Sequence, residues 1–202
     1  MASQGSGYAT RELSKKTWPD FERLFSQGGG WDFCWCMHFH RPRSLPKNKR
    51  LRTRAKRGVR NRREKRELVE KGCSHGILVY ADGEPVGWCQ YGPKEELPRI
   101  DNSLKYRDLA PEDGVERLWR ITCFVVDKKY RRRGVASAAL RAALEAIRNR
   151  GGGLVEAYPI AHWNAGTFGN VSTHGTVSMF QRQGFKAVAP FGGTNVLMRR
   201  TV

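Results

Sequence analysis

Apolar residues recur along this chain in distinct rhythms, and the strongest lies near its centre. Val135, Ala136, Ala139, Leu140, Ala143, Leu144 and Ile147 follow one another at spacings of one, three and four, which places them on one face of an α-helix. Arg141, Glu145, Arg148 and Arg150 take the other face. Gly151, Gly152 and Gly153 predict the end of this helix, because residues without Cβ make continued helix costly and accept positive φ. Before it, Ile121 to Val126 is an apolar, β-branched run that closes at Asp127. After it, LVEAYPI from Leu154 reads as another strand. The pattern is strand, loop, helix, strand.

The rest of the chain carries weaker rhythms. Residues 8–13 alternate and suit a first strand. Trp18, Phe21, Leu24 and Phe25 form one face of a short helix, with Thr17 and Asp20 spaced as a capping box, Pro19 in the first turn and Gly28 to Gly30 at its end. Two strand-like runs flank Asp82 and Gly83 within 76–93, the pattern of a hairpin. A polar, turn-rich stretch follows, read as a long loop with a short helix. Towards the end, Thr176 caps a short helix over 177–183, Gly184 closes it, and residues 186–190 and 195–200 read as the last two strands.

The loop before the long helix holds the candidate chemistry. Arg131, Arg132, Arg133, Gly134, Val135, Ala136 and Ser137 combine three cations with small residues at the point where the first N–H groups of a helix have no intrahelical partner. Those groups, the positive end of the helix dipole and the arginines suit a diphosphate. The string G-x-x-x-x-G-K-S/T is absent, as is G-x-G-x-x-G after a strand.

In this context the sequence resembles the GNAT superfamily of acyl-CoA-dependent N-acyltransferases. Arg131, Gly134 and Ala136 match its pyrophosphate-loop pattern, and Phe180, Gly184 and Phe185 match its later aromatic-x-x-x-Gly-Phe pattern. The resemblance implies an α/β fold in which a central mixed, mostly antiparallel twisted sheet is flanked by helices and contains a splayed parallel pair of strands. It implies that the pantetheine arm of acetyl-CoA, the co-substrate, hydrogen-bonds backbone groups of Phe124, Val125 and Val126, while Arg131 to Ser137 hold the pyrophosphate. An N–H near Val125 or Val126 would stabilise charge developing on the acyl oxygen. The reaction implied is acetyl transfer to a primary amine by direct attack in a ternary complex, without metal or covalent enzyme intermediate. Where many members carry a Glu in the CoA-binding strand this chain has Arg120, and where many carry a Tyr acid it has Phe180. Glu156, Tyr158 and Glu116 are the nearest chemically able substitutes, with His75 and His174 behind them.

Composition adds bounds. At 202 residues the chain suits a single domain spanning 1–202. Five cysteines, an odd number without a secreted framework, point to a reducing, cytoplasmic compartment. No apolar run suits a membrane span. The net charge of +18 is concentrated: residues 41–66 hold 14 Lys or Arg against Glu64 alone, so the basic character belongs to a segment. That segment reads as solvated and partly ordered, with a helix in its second half running on to a stop at Gly72. The charge therefore does not by itself mark a nucleic-acid-binding domain; the partners that the resemblance implies are acetyl-CoA and an amine-bearing acceptor, with nucleic acid not expected and a homodimer left open. Two alternatives stand beside the enzyme: a regulatory CoA-binding domain without robust catalysis, and a nucleic-acid-binding protein acting through 41–66.

Residues 31–40, WDFCWCMHFH, are the least ordinary stretch. In an extended conformation Cys34, Cys36, His38 and His40 would share one face. Four successive same-face residues on a straight strand cannot converge on one ion, so the reading is packing or the lining of an acceptor pocket rather than a metal site.

Overall fold

The computed structural model describes residues 7–27, 31–42, 51, 53–111, 114–161 and 173–202. Seven strands form one sheet. In chain order they are β1 (Ala9–Glu12), β2 (His75–Ala81), β3 (Glu84–Pro93), β4 (Leu118–Val126), β5 (Leu154–Ala157), β6 (Lys186–Phe191) and β7 (Asn195–Thr201). Their order in space is β1-β2-β3-β4-β5-β7-β6. Every pairing is antiparallel except β4 with β5, the parallel pair, which the long helix α4 (Val135–Asn149) connects. The other α-helices among the described residues are α1 (Trp18–Ser26), α2 (Arg54–Glu70), α3 (Leu104–Arg107) and α5 (Val177–Gln181). Among the described residues no helix is long and apolar enough to cross a membrane.

The helices cover both faces of the sheet, and this explains the strand composition. β2 and β3 are buried along nearly their whole length rather than on alternate residues. On one face α4 buries Val135, Ala139, Leu140, Ala143 and Ile147 against Ile77, Val79, Cys89 and Ile121. On the other, Trp18, Phe21, Leu24 and Phe25 of α1 pack with Trp35 against Leu78, Trp88 and Val125. Rings interlock here: Phe21 meets the Trp88 ring edge-on at 4.7 Å between centroids.

The structure corrects one local expectation and sharpens two others. Thr17 does not cap α1 with its side chain; its Oγ1 accepts from Ser14 N–H and donates to Glu12 O, both at 2.8 Å, so it ties the helix to β1 instead. Residues 31–40 are a series of turns, not an extended strand, with Trp35 and Cys36 at φ of 51° and 50°. The second half of the basic segment forms the expected helix, while residues 43–50 and 52 lie outside the described residues. Helix α2 spans 17 residues, is capped by Thr53 Oγ1 accepting from Lys56 N–H, and buries Gly58, Asn61, Lys65 and Val69 along one stripe. Gly58 is needed there because a Cβ would come within 2.6 Å of Asp32 O, and Asn61 Nδ2 donates to the carbonyls of Phe33 and Cys34. The helix holds the turns.

Candidate active site

The parallel pair splays as the resemblance implies. β4 and β5 stay in register from Leu118↔Leu154 to Ile121↔Ala157 and then part. A bulge in β4 marks the same point: β3 pairs Tyr91 with Ile121 but Gln90 with Cys123, so Thr122 is the extra residue. Beyond it the amides alternate. Asp127 N–H donates to Val86 O on the β3 side, whereas Phe124 N–H points the other way, into the splay, and donates to Thr173 O at 2.6 Å. By the same alternation Val126 N–H faces the splay and Val125 N–H faces β3.

Residues 173–176 lie in the gap. His174 Nδ1–H donates to Thr122 O at 3.1 Å, and Ile160 N–H donates to Gly175 O at 3.4 Å on the β5 side. Of the backbone groups expected for pantetheine, Phe124 N–H is thus engaged by the chain itself, which leaves the Val126 end of the strand for a ligand.

At that end begins α4. Gly134 is its N-cap with φ of 83°, no side chain caps the helix, and the first helical bond is Ala138 N–H to Gly134 O at 3.0 Å. The N–H groups of Val135, Ala136 and Ser137 therefore have no helical acceptor. Arg132 also takes positive φ, 60°, and a Cβ on Gly134 would meet nothing within 4 Å. A cavity of about 200 Å³ borders the loop, lined by Leu24, Gln27, Trp31, Val125 to Lys129 and Arg131. Open space, unpaired donors and cations fit a diphosphate here.

A second cavity, of about 310 Å³, lies on the α1 side and shares Trp31 and Val125 with the first. Phe25, Phe33 and Phe39 give it apolar walls; Cys34, Cys36, His38, Gln90, Cys123 and His174 give it polar and soft atoms. Its imidazoles are neutral. Burial pushes His38 down to about 4, helped by Arg99, and also lowers His174.

The carboxylate and phenol singled out by residue type lie elsewhere on the sheet. Glu156 pairs in register with Arg120 and is completely buried. Its Oε1 accepts from Arg199 Nε and Nη2 at 3.0 and 2.8 Å, and its Oε2 accepts from the hydroxyls of Tyr106 and Tyr158, both at 2.7 Å. Arg120 grips Asp101 with both Nη atoms and donates to Leu97 O, which fastens the 94–111 excursion onto the sheet. Burial, and then Glu156, push the Tyr158 hydroxyl well above its ordinary pKa. The structure thus brings Glu156 and Tyr158 together but away from both cavities, and leaves Glu116 exposed in the turn before β4. Phe180 is a fully buried ring between Phe124 and Phe185, and His75 is bound to Glu96 at 2.9 Å.

Several site residues escaped the sequence reading. Gln90, a lone amide within an apolar strand, offered a signal; it donates to Cys36 O at 3.0 Å and lines the second cavity. Lys65, fully buried, was hidden among thirteen other cations of its segment.

Matches to known proteins agree with this geometry. The sequence matches the acetyltransferase (GNAT) family over residues 10–185, and the chain belongs to that family. Among solved structures it is similar to the GNAT domain of PAT from S. lividans (TM-score 0.54, 15% identity, covering 96% of this chain and 89% of that one). It is also similar to ribosomal-protein-alanine N-acetyltransferase from Brucella melitensis (0.53, 15%, 96% and 99%) and to PaiA N-acetyltransferase from Thermoplasma acidophilum, solved with coenzyme A (0.52, 11%, 97% and 99%). No curated protein sequence matches it significantly.

Proposed function

We propose that this chain transfers an acetyl group from acetyl-CoA to the primary amine of a small neutral or anionic acceptor, by direct attack in a ternary complex. The observation that carries the reading is the meeting of two cavities at Trp31 and Val125, one beside an anion-binding loop and one walled by aromatic rings. Acetyl-CoA supplies an activated acyl carbon and a thiolate leaving group. Arg131, Arg132, Arg133 and the N–H groups of Val135, Ala136 and Ser137 would hold its pyrophosphate. Val126 N–H, turned into the splay, is the backbone donor suited to polarise the acyl oxygen.

The acceptor's ammonium must lose a proton before attack. Our assignment for this step is His174, which faces the acceptor cavity and whose Nδ1–H is fixed on Thr122 O, making Nε2 the basic nitrogen. Glu156 and Tyr158 we assign to holding β5, since their polar atoms already serve one another and the arginines. Among the described residues no carboxylate lines the acceptor cavity, which favours a neutral or anionic acceptor over a polycation. The cations of α2 are largely matched within the chain: Arg54 with Asp32, Arg60 with Glu64, Arg62 with Glu22, Arg63 with Glu67 and Arg66 with Glu70. This weighs against a nucleic-acid partner.

The test is release of CoA thiol from acetyl-CoA against panels of aromatic amines, amino acids, aminoglycosides and peptides. Turnover with small neutral or acidic amines is expected. A preference for aminoglycosides or basic peptides would overturn the acceptor assignment, and acetyl-CoA binding without turnover of any amine would favour a regulatory domain.

A further inference from the structure

The thiols of the acceptor cavity are arranged as a reacting pair. Cys36 Sγ and Cys123 Sγ hydrogen-bond at 3.3 Å, across 87 residues of sequence, and both line the cavity. Trp88 Nε1–H donates to Cys36 Sγ at 3.2 Å. Lys65 is completely buried behind them, and among the described residues no carboxylate lies within ion-pair distance of it. Its Nζ is 3.1 Å from His40 Nε2, but that imidazole is neutral: Nε2 is approached by Lys65, Ser74 and Gln90 Nε2, which requires it to accept, while Nδ1–H donates to Glu96 O. A buried ammonium needs an anion, and the sulfur of Cys36 is the group placed to be one. Burial opposes the Cys36 thiolate, but the Cys123 S–H, the Lys65 charge and the Trp88 N–H outweigh it. The backbone gives a second, independent sign. Trp35 and Cys36 are consecutive non-glycine residues held at positive φ, a costly conformation that delivers Cys36 Sγ to this point.

We propose that Cys36 and Cys123 form a dithiol that hydroperoxides oxidise to a disulfide across the wall of the acceptor cavity. The Cys36 thiolate attacks one peroxide oxygen; the S–O bond forms, the O–O bond breaks, and the departing hydroxide or alkoxide takes a proton from the Lys65 ammonium. Cys36 is then a sulfenic acid and Lys65 a neutral amine, so the buried ion pair disappears without leaving a lone charge. Cys123 sulfur next attacks Cys36 sulfur, the S–S bond forms, the S–O bond breaks, and the hydroxide leaves as water with the Cys123 proton. Two thiols have lost two electrons, and the peroxide has gained them. The other thiols are not so placed. Cys34 is pushed up to about 11 by burial, Cys89 is also pushed up by burial, and Cys73 is exposed, its Sγ 3.6 Å from Lys71 O. Closing the sulfurs from 3.3 Å to a bond of about 2 Å draws the 31–40 turns onto β4. On the proposed acetyl transfer, and resting on it, this narrows the acceptor cavity and halts turnover until a thiol reductant reopens it.

The experiment treats the native, reduced protein with hydrogen peroxide, quenches it with an alkylating reagent and maps the cysteines by peptide mass spectrometry. A Cys36–Cys123 disulfide should form before the exposed Cys73 is oxidised, an order read on the wild-type chain. Cys123→Ser should stop at the Cys36 sulfenic acid, trapped by dimedone. Lys65→Met should slow the first step roughly tenfold, as one unit of thiol pKa implies. Oxidation of Cys73 first, a disulfide to Cys34, or recovery of Cys36 as the alkylated thiol would overturn the pair. Retained acetyl transfer after the disulfide has formed would support the pair and overturn instead the placing of the acceptor in this cavity.

Discussion

Two buried polar clusters sit on the same side of the sheet, and they differ in what their lone pairs have left to do. Around Glu156 the carboxylate is fully engaged: its two oxygens meet Arg199 twice, Tyr106 and Tyr158, with Arg120 alongside at 3.8 Å. The cluster also anchors the chain segments that cross it, through Arg120 to Leu97 O and Asp101 and through Arg199 to Leu109 O. Around Cys36 the matching is of another kind. A buried cation, Lys65, acts through its charge on a soft sulfur at the edge of a cavity, with a second thiol in contact. A buried charge whose every acceptor site is filled holds a fold in place; one that borders open space keeps an atom for chemistry.

The largest effect that could break this contrast comes from Glu156→Gln. Replacing the carboxylate leaves Arg199 and Arg120 short of their buried counter-charge, which costs about 3–5 kcal/mol and lowers the melting temperature by roughly 10 °C in a chain of this size. The fraction that stays folded should retain its kcat. If the melting temperature instead holds and kcat falls by about two orders of magnitude or more, Glu156 is the base after all, and the two clusters exchange roles.

A smaller effect sharpens the other side. His174→Gln should lower kcat by about a hundredfold, the scale of a lost general base, with the melting temperature little changed. Burial lowers the pKa of His174, so the neutral, proton-accepting form persists below its ordinary value near 6.5. The wild-type rate should therefore decline only on the acid side of that pH, and the variant should lack this limb. Stability follows the same sign. The unfolded chain binds protons on its histidines near 6.5, whereas His38 in the fold waits until about 4, so stability is lost progressively as pH falls through that window. A thermal-melt series from pH 7 to 4 checks it.

What could be foreseen in the sequence divides along the same line. The strand-loop-helix unit and the Arg131 to Ser137 loop were legible because their chemistry is backbone geometry, and backbone geometry follows from local pattern: a glycine at the helix start, a stripe of spacing three and four, a triple glycine at the end. The proposed acceptor side was legible only in part, through the reading of residues 31–40 as packing or pocket lining. It is built from side chains drawn from residues 25–39, 90, 123 and 173–174, and no local rhythm says that Cys36 meets Cys123 or that Lys65 points inward while Arg63 and Arg66 point out. Residue type drew attention to Glu156 and Tyr158 as acid and base. Residue type cannot say whether a carboxylate's oxygens are already taken, because the arginines and tyrosine that engage them arrive from 36 to 50 residues away or, for Tyr158, from two. The conformation of 31–40 was left open for a related reason: its aromatic alternation imitates a strand, but the carbonyls of Phe33 and Cys34 are held by Asn61 of a distant helix.

The smallest expected effect isolates charge in the backbone-built site. Gly134 sits at φ of 83°, where any side chain carries a backbone cost, and asparagine and aspartate bear that conformation better than most residues. Since a Cβ there meets nothing within 4 Å, both variants should fold. Gly134→Asn and Gly134→Asp then share shape and backbone strain and differ in one negative charge at the mouth of the helix. If the N–H groups of Val135 to Ser137 hold a diphosphate, Asp should bind CoA at least about tenfold more weakly than Asn, or some 1.4 kcal/mol. Across a few ångströms near a protein surface, Coulomb repulsion readily supplies that much. Calorimetric titration at two ionic strengths measures it, and the gap between the variants should shrink in high salt as the repulsion is screened. Equal affinities for the two variants would mean that the phosphate lies elsewhere and that the helix N-terminus, for all its unpaired donors, is only a turn.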